Sequence, residues 1–112
     1  MNDCIFCKIV AGELPSKKAY EDDELLAFHD IYPAAPVHLL IIPKRHIVSL
    51  AECEAQDAGL LGRMVLLAPK LAQEHGLEQG FRTTINTGRG GGQEVFHLHL
   101  HVFGGGTLPT HI

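Results

Sequence analysis

Three histidines, His97, His99 and His101, occupy every second position near the carboxyl end of the chain. Apolar residues fill the alternate positions, so a strand would carry imidazoles on one face and core residues on the other. A neutral imidazole is a nucleophile near neutral pH, and its protonated form can donate a proton or stabilise an anionic oxygen. Successive residues on one face of a strand are about 6.8 Å apart, so one phosphate cannot contact all three histidines in the same way. The pattern indicates phosphoryl chemistry with three different roles; a metal-binding cluster or a chance polar face is the alternative.

A glycine-rich segment, residues 86–93, lies just before the histidines. Glycine lets backbone N–H groups approach phosphate oxygens closely, so the segment could form an anion cradle. By itself it is better explained as a flexible connection between two strands, since glycine-rich loops are common and this one does not begin a helix. Its position beside the histidine strand favours the cradle.

Cys4 and Cys7 are spaced so that one turn of backbone can direct two thiolates at a single Zn²⁺, with Zn–S distances of about 2.3 Å. Such a site needs two further ligands. A redox motif of the thioredoxin type would follow a strand, and too few residues precede Cys4 for one. Two buried apolar cysteines remain the simpler alternative, and Cys53 has no partner that the sequence identifies.

The elements that would position these residues form one α+β domain over residues 1–112, with an antiparallel sheet. Alternating or continuous apolar runs predict strands at 17–21, 24–29, 37–42, 81–87 and 95–103. A short helix over 4–11, capped by Asp3, precedes them. A long helix over 54–75 has its apolar residues at three- and four-residue steps, and Pro69 should kink or split it.

Composition excludes several other classes of protein. Nine Lys and Arg against thirteen Asp and Glu give a formal net charge of −4, which opposes an extended grip on nucleic acid but permits a small phosphorylated ligand. No apolar run reaches the roughly 20 residues of a membrane span, and the first seven residues do not resemble a signal peptide. With an odd number of cysteines and no expected disulfide, the predicted location is the cytoplasm.

Residues 91–103, Gly-Gly-Gln-Glu-Val-Phe-His-Leu-His-Leu-His-Val-Phe, resemble the signature of the histidine triad (HIT) family, and most closely its nucleoside phosphoramidase branch. Segments 5–9, 27–31 and 42–46 extend the resemblance over nearly the whole chain. The resemblance implies a HIT-like fold, with a five-stranded antiparallel sheet, one short N-terminal helix and one long helix. It also implies a homodimer joined through the long helix and the strand that begins at Phe81.

The same resemblance implies a role for each site residue. His99 would attack the α-phosphorus to form a nucleotidyl-histidine that water then hydrolyses. His101 would bind the phosphate oxygens and assist proton transfer, while His97 would hold the arrangement in place. The remaining implied substrate-binding residues are Asn86, Gly92, Gln93 and Glu94 at the phosphate or leaving group, Asp30 at the ribose hydroxyls, and Ile5, Phe6, Ile9, Phe28 and Ile31 around the base. His29 is also predicted to bind substrate.

Some HIT relatives carry a structural zinc on two cysteines and two histidines, and the histidines that match here are His46 and His97. Together with Cys4 and Cys7 they would complete a Cys₂His₂ site that takes no part in the chemistry. In relatives without the cysteines, the two histidines hydrogen-bond to each other instead. We expect the zinc site in this chain.

The function implied is a purine nucleoside phosphoramidase that acts on adenosine or guanosine 5′-phosphoramidates or related conjugates. The alternatives are a dinucleoside polyphosphate hydrolase or nucleotidyl transferase of the same family, and a catalytically silent AMP- or GMP-binding regulatory module. Glu94 replaces a serine of some relatives and can only accept hydrogen bonds when ionised, which leaves the leaving-group preference open. The other histidines, His38, His75 and His111, are predicted to be surface or packing residues.

Overall fold

Residues 3–108 are described in the computed structural model, which contains two α-helices and five strands in this range. His111 lies outside the described residues. Single 3₁₀ turns occur at Leu50–Glu52, Ala55–Asp57 and Arg89–Gly91. In chain order the main elements are α1 (Ile5–Val10), β1 (Lys18–Glu21), β2 (Leu25–His29), β3 (Val37–Pro43), α2 (Ala58–Glu74), β4 (Arg82–Thr84) and β5 (Leu100–Gly104).

The five strands form one sheet in the order β1-β2-β3-β5-β4, and every neighbouring pair is antiparallel. The predicted α+β fold, with a five-stranded antiparallel sheet, one short helix and one long helix, is confirmed. No helix within residues 3–108 is long and apolar enough to cross a membrane.

Strand β3 lies at the centre of the sheet and gives its two faces different partners. Leu39 and Ile41 belong to the core that packs beneath α2, together with Leu71 of that helix. The alternate residues Leu40 and Ile42 pack on the opposite face, on the side of α1. The continuous apolar run of β3 therefore arises because both faces of this strand are covered.

Helix α1 covers the second face through Phe6, which is 5% exposed and meets Phe28 edge to face with ring centroids 5.5 Å apart. The prediction that Asp3 caps this helix was wrong. Cys4 is the N-cap, and its Sγ accepts a hydrogen bond from the N–H of Cys7 at 3.3 Å. The helix therefore begins one residue later than expected.

Helix α2 runs from Ala58 to Glu74 and is shorter than the predicted 54–75 because a 3₁₀ turn precedes it. Glu54 and Asp57 form a capping box at that turn, in which the Glu54 N–H donates to Asp57 Oδ2 at 2.9 Å. Pro69 does not split the helix. Its exposed position places the lost backbone hydrogen bond at the surface, where water can replace it.

Strand β5 begins at Leu100, five residues later than predicted, so the expectation of three histidines on one strand was wrong. Only His101 lies in β5. His97 and His99 belong to residues 97–99, the lead-in segment that precedes β5. In this segment the N–H of Leu98 donates to the carbonyl of Ile47 at 2.6 Å. This connection to a loop residue replaces a sheet ladder and holds the lead-in beside the sheet.

Candidate active site

A cavity of about 630 Å³ opens on the face of the sheet that carries α1. Most of the predicted substrate-binding residues line it, so the fold brings together side chains from both ends of the chain. No lysine or arginine within residues 3–108 contributes to its wall. The predicted residues that line it are Ile5, Phe6, Ile9, Phe28, His29, Asp30, Ile31, Asn86, Gly92, Glu94, His99 and His101.

His99 is held in one tautomer by the backbone. Its Nδ1 lies 2.7 Å from the carbonyl oxygen of His97, and a carbonyl can only accept, so Nδ1 carries the proton. The neutral ring then has its lone pair on Nε2. Burial lowers the pKa of His99, which keeps the ring neutral near pH 7. This is the form that an imidazole nucleophile requires.

Phe6 supports the ring of His99 from the side of α1. The two rings meet edge to face, with centroids 5.2 Å apart and planes at 89°. His99 is only 7% exposed, so packing restricts its rotation in addition to the hydrogen bond. Helix α1, predicted as a short N-terminal helix, therefore contacts the candidate nucleophile directly.

His101 is oriented by His38, which the sequence analysis did not place in the site. The N–H of Ala34 donates to His38 Nδ1 at 2.9 Å, so the proton of neutral His38 is on Nε2. His38 Nε2 lies 2.9 Å from His101 Nδ1 and donates to it. His101 therefore carries its own proton on Nε2, where it can serve as a hydrogen-bond donor to a phosphoryl oxygen.

His38 was predicted to be either a surface residue or a packing residue. It is not a surface residue, because it is only 7% exposed and lines the cavity. It lies on the same face of β3 as Leu40, which pairs with His101 across the sheet. The signal in the sequence was a single histidine within an otherwise apolar strand. Such a residue must find a partner, but only the strand pairing shows which one.

Asp30 connects this histidine pair to the next loop. Its Oδ1 accepts the N–H of Tyr32 at 2.9 Å, and its Oδ2 lies 3.5 Å from His38 Nε2. The carboxylate is thus fixed beside the cavity at the start of the segment that follows β2. Its lone pairs that remain free can accept hydrogen bonds from ligand hydroxyls.

Gln93 does not line the cavity, and its side chain connects the glycine-rich loop to two neighbouring backbone segments. Nε2 donates to the carbonyls of Val48 and Val95 at 2.7 and 3.0 Å, and Oε1 accepts the N–H of Gly88 at 2.9 Å. The structure thus places Gln93, predicted to contact the phosphate or leaving group, as a residue that holds the loop. Gly88, at φ 73°, adopts a backbone conformation that favours glycine.

The expected cradle of free backbone N–H groups is only partly present. The N–H groups of Gly91, Gly92 and Gln93 all donate to carbonyls of the loop itself, at 3.0 to 3.1 Å. Asn86 Nδ2 also donates to the Gly91 carbonyl, at 2.9 Å. Because these donors are already paired, the loop presents a fixed wall at Gly92, and the histidines must supply much of any phosphate binding.

His29 lines the cavity, but its ring lies on the other side of the sheet. His29 pairs with Leu39, which belongs to the core beneath α2, and its ring centroid is 5.3 Å from that of His75. His29, one of the predicted substrate-binding residues, therefore lies at the cavity with its ring against His75. His75, whose Nδ1 lies 2.8 Å from the Leu71 carbonyl, is a packing residue as predicted.

The predicted metal ligands Cys4, Cys7, His46 and His97 converge beside the cavity, with their four ligand atoms within 4.8 Å of one another. Cys4 Sγ is 3.3 Å and Cys7 Sγ 3.5 Å from His97 Nδ1, while His46 Nδ1 is 3.2 Å from both Cys7 Sγ and His97 Nδ1. Ordinary Zn–N and Zn–S bonds would give tetrahedral N–N and S–N edges of about 3.3 to 3.6 Å. The donor types and spacings therefore fit a zinc ion.

The ring of His97 is prepared for the same role. It is completely buried, and its Nε2 donates to the carbonyl of Pro43 at 2.7 Å. The lone pair is therefore on Nδ1, the atom that faces the cysteines, as in many metal-bound histidines that donate their second nitrogen to a carbonyl. His97 does not line the cavity, so its predicted supporting role agrees with its position.

Acid should destabilise the protein through His101. Burial, with His99 and His38 nearby, lowers the pKa of His101 from 6.5 to about 4, partly opposed by Asp30. Between these values the unfolded chain binds a proton that the folded chain does not, so the free energy of unfolding falls as the pH falls from 6.5 to about 4. The free energy of unfolding, measured with urea between these pH values, should depend less steeply on pH for His101→Asn than for the wild type. His75→Asn is the control, and equal slopes for wild type and His101→Asn would contradict the assignment.

Comparisons with known proteins agree with this geometry. Residues 3–107 match the family described as "Scavenger mRNA decapping enzyme C-term binding". "Protein HitA" of Neisseria gonorrhoeae is 57% identical over 104 residues, covering 93% of this chain and 97% of the relative. The "Purine nucleoside phosphoramidase" of Escherichia coli strain K12 is 46% identical over 107 residues, covering 95% and 90%.

The solved structures show the same relationship in three dimensions. A HIT family hydrolase from Legionella pneumophila Philadelphia 1 has a TM-score of 0.94 and 48% identity, with 97% of this chain and 98% of that chain covered. A histidine triad protein from Clostridium difficile has a TM-score of 0.94 and 46% identity, with 100% and 98% covered. The chain belongs to the histidine triad family of nucleotide-binding hydrolases.

Proposed function

We propose that this protein hydrolyses purine nucleoside 5′-phosphoramidates, or related nucleoside-phosphate conjugates, to nucleoside monophosphates through a nucleotidyl-His99 intermediate. The observation that carries the proposal is the contact between His99 Nδ1 and the His97 carbonyl, which leaves Nε2 as a free nucleophile in the cavity wall. The name of the relative from Escherichia coli supports this substrate class.

In the first step, His99 Nε2 forms a bond to the α-phosphorus, and the P–N bond breaks with its electron pair remaining on nitrogen. His101 donates its Nε2–H to a phosphoryl oxygen and stabilises the charge that develops there. Since His38 occupies His101 Nδ1, the single N–H of neutral His101 stays on the phosphoryl oxygen. The departing nitrogen takes up one proton from solvent and leaves as an amine, and the water that attacks in the second step returns one proton to solvent.

In the second step, water attacks the phosphorus and the electron pair of the P–Nε2 bond returns to His99. The product is the nucleoside monophosphate. Asp30 would hold the ribose hydroxyls, and Phe6, Ile9 and Phe28 would line the slot for the base. The exposed carboxylate of Glu94 would lie near the leaving group, where it accepts hydrogen bonds from an amine.

Replacement of the nucleophile tests the mechanism. His99→Ala should lower the turnover of an adenosine 5′-phosphoramidate by at least about 10³-fold, because removal of a covalent nucleophile abolishes the two-step route. When wild-type turnover of a substrate labelled at phosphorus is stopped with a denaturant that contains no acid, a labelled nucleotidyl-histidine should be recovered. His75→Ala is a matched control on the opposite side of the sheet and should keep wild-type turnover.

The same assay separates the alternatives. Diadenosine polyphosphate turned over faster than the phosphoramidate would favour the anhydride-cleaving members of the family. AMP binding without a labelled intermediate would favour a silent regulatory module. Wild-type turnover by His99→Ala would remove His99 as the nucleophile in every version of the proposal.

We also propose a structural zinc bound by Cys4, Cys7, His46 and His97. The four ligands would close a tetrahedral site, so the metal would offer no open position to the substrate. It would cross-link α1 to the loop after β3 and to the lead-in segment of β5. In this way it would stabilise the position of the His97 carbonyl, to which His99 is hydrogen-bonded.

Metal analysis after purification without added zinc should give close to one zinc per chain. Cys4→Ser combined with Cys7→Ser should lose the metal and lower the melting temperature, because a structural zinc contributes directly to folding stability. Cys53→Ser is the matched control and should retain the zinc. A wild-type protein with only a small fraction of one zinc per chain would contradict this proposal.

A homodimer is proposed on the outer side of α2. Val65 and Leu66 are 52% and 74% exposed on this helix, and Phe81, 39% exposed, precedes the edge strand β4. Together they place apolar side chains next to an open sheet edge, which is a feature of association surfaces. A second copy of the chain is the partner that we assign to this surface.

Leu66→Glu should convert the dimer to a monomer, since it would bury a charge at the contact without a partner. Light scattering after gel filtration measures the mass directly. Leu50→Glu, at a similarly apolar exposed position outside α2 and β4, should leave the dimer intact. A wild-type protein that is already monomeric at micromolar concentration would rule out the proposed surface.

A further inference from the structure

Ile31 and Tyr32 are the most exposed large hydrophobic residues among residues 3–108, at 81% and 83%. Both line the cavity, and they follow Asp30 in the segment between β2 and β3. Ile31 matches a position of the base slot in the sequence analysis. Tyr32 has no role in the proposed mechanism, although its ring carries a large apolar surface at the mouth of the cavity.

The backbone that carries Tyr32 is fastened on both sides. The N–H of Tyr32 donates to Asp30 Oδ1, and the N–H of Asp30 donates to the His38 carbonyl, both at 2.9 Å. Two residues further on, the N–H of Ala34 donates to His38 Nδ1 at 2.9 Å. The backbone from which the Tyr32 side chain projects is therefore held by hydrogen bonds to groups of the site itself.

The chemistry of the cavity indicates what could cover this ring. Its wall contains mainly apolar side chains at α1 and the segment after it, including Phe6, Ile9 and Leu14. A flat purine that packs on this wall has a second face directed outward. An aromatic ring at the mouth can stack on that face, and every base offers a π surface for such stacking.

We propose that Tyr32 is a specificity-determining residue that closes over the outer face of the nucleobase and favours the larger purines. The inference rests on the proposed function only in that it requires a nucleotide in the cavity. The hydrogen bond to Asp30 holds the backbone of Tyr32 at the carboxylate assigned to the ribose, so one segment would support both base stacking and ribose binding.

Binding of AMP and of ribose 5-phosphate to the full chain tests the proposal. Tyr32→Ala should weaken AMP binding roughly tenfold, which lies within the range of losses when a stacking aromatic is removed. Tyr32→Phe should stay within about twofold of wild type because the ring is retained. Ribose 5-phosphate, which has no base, should bind equally to all three proteins.

Tyrosine fluorescence supplies an independent readout, since the chain has no tryptophan and only two tyrosines. Tyr20 is the matched control. Its hydroxyl donates to Asp22 Oδ2 at 2.7 Å, and Lys70 Nζ lies 5.0 Å from its ring centre. AMP should quench the emission of wild type and Tyr20→Phe, but should leave the emission of Tyr32→Phe unchanged.

The outcomes separate this inference from the proposed function. Equal AMP affinity of wild type and Tyr32→Ala, or equal losses for AMP and ribose 5-phosphate, would overturn the stacking role while leaving hydrolysis untouched. A change in kcat of phosphoramidate hydrolysis with no change in KM would also overturn it, because a base contact acts on binding. If AMP stacking is observed but no phosphoramidate is hydrolysed, the stacking role stands and the proposed function fails.

Discussion

The hydrogen bond from His99 Nδ1 to the His97 carbonyl is the contact on which the reactive form of the site depends. It joins two residues of one short segment, so it needs that segment in a particular backbone conformation. His97 supplies this conformation because its ring is completely buried and donates to the carbonyl of Pro43. The nucleophile is therefore prepared by a neighbour that does not touch the cavity.

A second chain of hydrogen bonds prepares His101 by the same principle. A backbone N–H at Ala34 decides the tautomer of His38, and His38 in turn decides that of His101. Burial lowers the pKa of each ring and favours its neutral form. His38 has both nitrogens committed to protein partners, whereas His101 has only Nδ1 committed. The site thus presents one lone pair, on His99, and one N–H, on His101, to the same cavity.

The cavity lies between α1 and the sheet, and its wall combines this polar end with a larger apolar part. Strand β3 makes the arrangement possible, since its residues alternate between the core beneath α2 and the face that carries the site. Without lysine or arginine in the wall from residues 3–108, the charge of a bound phosphate must be met by imidazoles that gain protons or by hydrogen-bond donors. This explains why histidine, which can change its charge near neutral pH, is concentrated there.

The sequence by itself determined the order of the elements and the two-sided apolar pattern of β3, because these depend on local periodicity. It also predicted the four side chains that converge at the proposed zinc site and most of the cavity wall, through the close match of its motifs to the HIT signature. Cys4 and His97 are 93 positions apart, so their contact could be inferred only from that resemblance.

Tertiary structure decided the features that depend on partners distant in sequence. His38 meets His101 across 63 positions, and this pairing turns a strand histidine into part of the site. Gln93 is hydrogen-bonded to Val48, Gly88 and Val95, and its side chain does not line the cavity. His97 and His99 stand outside β5 because their segment connects to Ile47 instead of a strand. In each case a buried polar group must find a hydrogen-bond partner, and only the folded chain determines which partner lies within reach.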